Sequence, residues 1–235
     1  MKYIQKGSAP REYSDWCRRV QGTDKEDYRE LPLSEKAALV DALLTEQGWI
    51  CAYTMRRIEK TSSHAEHIKP QSVCRAEMPG SDLDYGNLVA CFPREGMKKR
   101  YRYGAQARHD WWNPKLFLTP LQPSCEHRFR FNLRGEVATD ASDIAAAETS
   151  KRLALDHKSL TEDRKRVIEE FIYGEGGSNP LSEAEAKSWM ADVVRQKRDG
   201  SFIEFCVAIR HALEDYLKNL EKDRRKRAFA RESKS

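Results

Sequence analysis

The sequence predicts an α+β fold in which a short mixed segment is embedded in a mainly helical chain. Apolar residues recur at helical spacing near both ends, from Leu39 to Leu44 and from Phe205 to Leu220. Between them, prolines and glycines interrupt residues 59–110, which excludes a long element there. Residues 49–58 and 127–137 are rich in aromatic and apolar side chains, which is typical of strands.

In the amino-terminal half, residues 1–30 are polar and mixed and predict no regular element. A helix is predicted from Ser34, whose hydroxyl can accept from amides of the first turn, to Gly48, a natural stop. Trp49 to Ile58 then predicts a strand, and residues 111–120 predict an extended connector.

In the carboxy-terminal half, residues 127–137 predict a strand or hairpin with Gly135 at the turn. Two helices are predicted over residues 142–156 and 161–173. Another helix begins at Ser182, where Glu185 three residues later completes the pattern of a capping box. The last helix is predicted over residues 202–231.

Composition excludes several classes of protein. The 235 residues carry 42 Lys and Arg against 37 Asp and Glu, and no apolar run reaches the roughly 18 residues that a membrane-spanning helix needs. The amino terminus lacks the apolar stretch of a secretory signal, so we expect a cytoplasmic protein with no membrane partner. The six cysteines are scattered without a Cys-x-x-Cys pair, which predicts free thiols and disfavours structural zinc.

Positive charge is concentrated in two places. From Lys218 to Ser235, eight basic residues face three acidic ones. Residues 94–108 hold a second basic cluster with interleaved tyrosines. Such clusters bind phosphates, and aromatic neighbours stack on bases. A basic tail of this kind is more often a solvated helix end, and nucleic acid and a protein partner are both open as its ligand.

Glu66-His67-Ile68-Lys69-Pro70 is the segment that predicts chemistry. A histidine can act as a general base, and a carboxylate beside it can hold a divalent metal. Adjacent side chains of a strand point to opposite faces, so Glu66 and His67 share a site only if the chain bends there. Pro70 indicates such a bend.

These residues resemble the HNH endonuclease superfamily, and the order of several further segments resembles its PtuB type. The segments that carry the resemblance, over roughly residues 1–170, are 47–53, Glu66 to Pro70, Asn87-Leu88, the polar helix start near Gln106, 110–114, 117–121 and 125–131. The resemblance implies a small ββα-metal (HNH) module embedded in the mainly helical chain. It divides the chain into an amino-terminal arm and helix at 1–48, the nuclease module with its connector at 49–138, and a helical region with a basic tail at 139–235.

The resemblance implies a role for each matching residue. His67 is the general base, Glu66 is a ligand of Mg²⁺ or Mn²⁺, and Asn87 braces the loop that orients the histidine. The last metal ligand is either Gln106 or His109. The residues expected to contact the substrate phosphates are His64, Lys98, Lys99, Arg100 and Arg108. His64 is also a candidate metal ligand.

The sequence departs from the family pattern at the zinc cysteines, since Cys51 and Cys91 alone do not make a four-ligand site. The resemblance implies a metal-dependent endonuclease that acts on DNA or RNA, a structured RNA such as tRNA included. It also implies a toxic effector of an antiphage complex, with an ABC-type ATPase (PtuA) and, in retron systems, a reverse transcriptase with its RNA–DNA product as partners. The alternative is a catalytically degenerate HNH-fold adaptor that binds nucleic acid and bridges subunits.

Overall fold

The computed structural model describes residues 1–94, 97 and 101–232, which form mainly helices and two small antiparallel sheets. The helices are α1 (Arg11–Val20), α2 (Leu33–Glu46), α3 (Gln71–Glu77), α4 (Ala105–Arg108), α5 (Ile144–Arg152), α6 (Lys158–Tyr173), α7 (Glu183–Asp192) and α8 (Cys206–Glu232). The strands are β1 (His64–His67), β2 (Leu88–Cys91), β3 (Arg130–Phe131) and β4 (Val137–Ala138), with β1 paired to β2 and β3 to β4. This mixture agrees with the predicted α+β class.

The predicted helices of the carboxy-terminal half are confirmed, with shifted ends. The capping box that begins α7 is present: the Glu185 amide donates to the Ser182 hydroxyl at 3.3 Å, and the Ser182 amide donates to the Glu185 carboxylate at 2.8 Å. The cap predicted for Ser34 is wrong. Helix α2 begins at Leu33 behind Pro32, and the Ser34 hydroxyl donates to the Glu35 side chain instead.

The hairpin predicted around Gly135 is confirmed as the β3–β4 pair. Gly135 has a φ of +73°, and a Cβ there would lie 2.6 Å from backbone atoms of Thr161 and Lys165 on α6. Only glycine avoids that clash, because it has no Cβ and tolerates positive φ. The turn therefore packs directly on the helix.

The strand predicted over residues 49–58 is wrong. Trp49 and Met55 both have a φ of +62°, which interrupts an extended chain, and only Ile50 and Arg57 form a bridge. The segment is nevertheless anchored, since the Ala52 amide donates to the Ala90 carbonyl of β2 at 3.1 Å. Its apolar side chains are buried, so the hydrophobicity of the segment reflects its burial in the core.

Helix α1 is an element that the sequence pattern did not predict. Its buried side chains, Tyr13, Trp16 and Val20, lie on one face, and the Tyr13 hydroxyl donates to the Leu83 carbonyl at 2.7 Å. Charged residues surround these three positions and mask their helical spacing. The helix packs against α2 and is tied to the 81–83 turn through Tyr13.

One cluster of buried apolar side chains extends through all three segments of the predicted domain division, which itself stays a prediction. For example, the Phe205 amide, just before α8, donates to the Met55 carbonyl at 2.9 Å. From residue 221 to 230, α8 leaves this core and every side chain is exposed. Across the described part of the chain, no helix is both long and apolar enough to cross a membrane.

Candidate active site

Strand β1 carries His64, Glu66 and His67, and it precedes β2 and the short helix α4 in the order expected for a ββα unit. In the register, Glu66 lies opposite Val89 and His67 opposite Leu88. The strand continues through His67, and the turn follows only at Pro70, which precedes α3. Glu66 and His67 therefore lie on opposite faces of β1.

The His67 imidazole is buried, with 5% of the residue exposed, and each ring nitrogen has a neighbour. Nε2 lies 2.9 Å from the carbonyl oxygen of Asp82, which can only accept, so Nε2 carries the hydrogen. Nδ1 is then the basic nitrogen, and it accepts from Nε2 of Gln71 at 3.4 Å. This long bond is easily exchanged for a water.

Burial lowers the pKa of His67, because a charged ring would lose its hydration. The ring of Tyr28 contacts it edge-on, with centroids 4.6 Å apart. His67 is consequently a neutral imidazole near pH 7, in one tautomer and one orientation. This is the state that a general base requires.

Three residues around His67 were missed by the sequence analysis: Tyr28, Gln71 and Asp82. Gln71 follows directly after the Glu66–Pro70 segment, and its oxygen accepts from Arg75 at 3.1 Å, which fixes the direction of its amide. Asp82 is fully buried and comes fifteen residues after His67. No local pattern identifies Tyr28 or Asp82, because tertiary packing alone brings them to the ring.

Asn87 clamps the chain between His67 and α3. Its amide nitrogen donates to the Lys69 carbonyl at 2.9 Å, and its oxygen accepts from the Lys69 amide at 2.8 Å. The Ile68 amide also donates to the Asn87 carbonyl at 2.9 Å. Asn87 thus fixes the loop after His67 without hydrogen-bonding the imidazole itself.

On the other face of β1, Glu66 lies between two cationic or polar side chains. One carboxylate oxygen accepts from Arg108, and the other lies 3.3 Å from Nε2 of His64. Burial alone would raise the pKa of Glu66, but His64 and Arg108 outweigh it and keep the pKa lowered. Glu66 is therefore a carboxylate at neutral pH.

Helix α4 brings Arg108, and neither of the two predicted ligands, into hydrogen-bond contact with Glu66. Arg108 is 3% exposed and also donates to the carbonyls of Ile68, at 2.6 Å, and His67. In this enclosed position Arg108 binds groups of the protein itself, and its contact with a substrate phosphate stays a prediction. Gln106 is half-buried within α4, and His109 is exposed just after its end. The predicted contacts Lys98, Lys99 and Arg100 lie outside the described residues.

The fit of a divalent cation can be tested against these donors. Glu66 and His64 place a carboxylate oxygen and an imidazole nitrogen 3.3 Å apart on one face of β1. Mg²⁺ binds through one or two carboxylates and keeps its other positions for water and phosphate oxygens, so Glu66 is the member of this pair that matches the ion's preference for oxygen ligands. Over residues 1–94, 97 and 101–232, no group of three or more His, Cys, Asp or Glu side chains is placed to hold a metal.

The thiols of Cys51 and Cys91 lie together in the core and hydrogen-bond each other. The Cys51 sulfur also accepts from the Phe92 amide at 3.4 Å. Packing around this pair holds β2 against the preceding segment. The loss of structural zinc stays a prediction.

Comparison with known proteins adds one relative. No protein-family profile matches the chain. Over 143 residues the chain is 27% identical to a Vibrio cholerae protein named "Retron Vc95 putative HNH endonuclease". The aligned region covers 59% of this chain and 67% of that protein. This distant similarity supports the HNH resemblance and nuclease activity in general.

Proposed function

We propose that this protein is a metal-dependent endonuclease of the HNH type that hydrolyses phosphodiester bonds of nucleic acid, with His67 as general base. The observation that carries the proposal is the state of His67. It is buried and neutral, and its Nε2 hydrogen is bound to the Asp82 carbonyl, so Nδ1 can accept a proton.

In the proposed reaction, Nδ1 of His67 removes a proton from a water that takes the place of the Gln71 amide. The resulting hydroxide attacks phosphorus, and the bond to the leaving oxygen breaks. The Asp82 carbonyl, 2.9 Å from Nε2, stabilises the imidazolium that forms. Asn87 and Tyr28 keep the ring in place during the proton transfer.

Glu66, with His64 beside it, would hold the cation, which we propose to be Mg²⁺ or Mn²⁺. Because Glu66 and His67 lie on opposite faces of β1, they serve one phosphate only when the chain bends between them. The ion would then supply the positive charge that stabilises the pentavalent phosphorus and the leaving oxygen. Arg108 holds the other oxygen of Glu66 and fixes the direction of the carboxylate.

The enzymatic test uses the purified full chain with labelled DNA and RNA oligonucleotides in Mg²⁺, in Mn²⁺ and in EDTA. We expect cleavage in the metals, none in EDTA, and a loss of at least about 100-fold for His67→Ala, since general-base catalysis contributes about 10²–10⁴-fold. His127→Ala, at an exposed position away from the site, is the matched control. Undiminished cleavage by His67→Ala would refute the proposal.

A second candidate function is the non-catalytic adaptor. The observation that favours it is the separation of Glu66 and His67 on opposite faces of β1, with Arg108 rather than Gln106 or His109 bound to Glu66. The same assay discriminates the two, because an adaptor binds the oligonucleotides and cuts none of them under any condition.

For its cellular role, we propose a toxic effector in an antiphage complex with an ABC-type ATPase of the PtuA type. In a retron system, a reverse transcriptase with its RNA–DNA product joins the complex. The support is the PtuB-type order of segments and the similarity to a protein named for a retron. Co-expression with the ATPase should give a complex that survives gel filtration, and separate elution would count against it.

A further inference from the structure

A basic recess of about 590 Å³ lies beside β1, on the side where Gln71 covers His67. Four cationic side chains and one carboxylate line it: Arg29, Lys36, Lys60, Arg94 and Asp41. Its volume lies in the range of ligand-binding cavities, about 300–1,000 Å³. The recess is therefore large enough for part of a polymeric anion.

The wall of the recess is one face of α2. Leu33, Lys36, Ala37, Val40 and Asp41 follow the spacing of a single helical face, and all five line the recess. The core-facing residues of α2 lie elsewhere on the helix. Leu33 is 85% exposed at this wall, so α2 presents apolar as well as cationic groups to a ligand.

The recess reaches His67 through two of its lining residues. Tyr28 contacts the imidazole edge-on at 4.6 Å between centroids, and Gln71 is 3.4 Å from Nδ1. A ligand that fills the recess and displaces the Gln71 amide meets the basic nitrogen directly. The Tyr28 ring and the Gln71 amide thus lie between the recess and the buried imidazole of the proposed general base.

Of the four cations of the recess, Arg29 is held by Asp27, to which it donates at 2.9 and 2.6 Å, and the other three are held loosely. Lys60 pairs with Asp41 at 2.5 Å, but both side chains are more than 40% exposed. Lys36 lies 5.0 Å from the centroid of the Tyr28 ring, and Arg94 forms no ion pair with any described residue. Exposed pairs contribute little, so a phosphate can replace these partners at small cost.

We propose that this recess binds the sugar–phosphate backbone of nucleic acid beside the phosphodiester bond that the water activated by His67 cleaves, with Lys36 and Lys60 contacting successive phosphates. The proposal rests on the proposed function for the identity of the bond, but backbone binding itself needs no catalysis. Phosphates are the ligands that a recess with this charge favours, and the Leu33 and Val40 side of α2 contacts the sugars.

The test measures binding in EDTA, so that no metal-dependent cleavage occurs. Wild type, Lys36→Ala/Lys60→Ala and the control Lys158→Ala/Lys187→Ala are titrated against a fluorescent 20-base-pair DNA duplex and a 20-nucleotide single-stranded RNA across a range of salt. The control removes the same charge from α6 and α7, where both lysines are more than 60% exposed. Equal melting temperatures of the three proteins establish that all are folded.

For the recess variant we expect a flatter dependence of log K on log salt for the polymer that wild type binds more tightly. The steepness of this dependence should fall by about 1.8 for the duplex or about 1.4 for the single strand, because two phosphate contacts are lost. For the duplex, this corresponds to a loss of about 60-fold in affinity at 0.1 M salt, relative to 1 M salt. The control should match wild type. A slope equal to that of wild type, equal losses in both variants, or no binding by wild type would overturn the proposal.

The two proposals fail separately. If wild type cuts nucleic acid in Mg²⁺ while the recess variant keeps its salt slope, the recess proposal is wrong and the nuclease stands. If the slope falls but no protein cuts, the recess binds nucleic acid and the nuclease proposal is wrong.

Discussion

Replacing Arg108 by Met tests the internal support of the candidate site. The guanidinium is 3% exposed and donates to the Glu66 carboxylate and to the carbonyls of His67 and Ile68. Met has a similar length but no donors and no charge. The variant therefore leaves a carboxylate and two carbonyls inside the protein without their partner.

The expected cost follows from this arrangement. Removing one member of a buried ion pair costs about 3–5 kcal/mol, because the other charge stays buried alone. Whole domains are stable by only about 5–15 kcal/mol, so this is a large fraction. For a chain of this size, the melting temperature should fall by about 6–20 °C, at about 2–4 °C for each kcal/mol.

Urea unfolding measures this loss, with two comparison variants. Arg195→Met removes one member of an exposed pair with Asp192, 71% exposed on the arginine side, and should cost at most about 1 kcal/mol. Arg108→Met combined with Glu66→Gln should lose less than the sum of the single losses, by about 0.5–3 kcal/mol. A loss below about 1 kcal/mol for Arg108→Met, or strict additivity in the double variant, would refute the reasoning.

Three further predictions concern the site and the tail. Cleavage should stay constant through neutral pH and fall only below pH 6.5, because protonation inactivates a base whose pKa burial lowers; a rate–pH profile with its acid midpoint above 6.5 would contradict this. Asn87→Ala removes both hydrogen bonds to Lys69, so urea unfolding should show a loss of about 1–3 kcal/mol in the free energy of unfolding, and kinetics should show slower cleavage. Unchanged stability would contradict the role of Asn87 in fixing the loop. Neutralising residues 224–227 should leave the melting temperature within about 2–4 °C of the wild-type value, since these side chains are exposed. A flatter salt dependence of nucleic-acid binding would assign the tail to nucleic acid, and weaker pull-down of the ATPase would assign it to the partner.

The sequence allowed the helical half to be predicted well. Helices α5 to α8 are long enough for their apolar residues to show a helical period. The capping box at Ser182 involves only residues close together in sequence, so it can be identified from the sequence alone. Strands β1 and β2 have four residues each, too few for an alternating pattern to be distinguished from an irregular segment. Residues 49–58 were assigned to a strand because their hydrophobicity reports burial, while two left-handed residues break the chain there.

The site was predictable only where its residues are adjacent in sequence. Glu66, His67 and Pro70 form a local pattern, and Asn87 was identified through the family resemblance. Tyr28 and Asp82 contact His67 across long sequence separations, so nothing near them indicates their role. Arg108 was expected to contact phosphate because the family resemblance places a basic residue at its position. Its hydrogen bonds to Glu66 and to two backbone carbonyls depend on tertiary packing, which the resemblance does not show.

The central claim is that His67 abstracts the proton from the attacking water. The most direct measurement is the single-turnover rate of cleavage in Mg²⁺ for wild type, His67→Ala and His67→Ala with added imidazole. We predict a loss of at least about 100-fold for the variant and partial recovery with imidazole, which restores a base in the vacated volume. A rate for His67→Ala within a few-fold of wild type would contradict the claim.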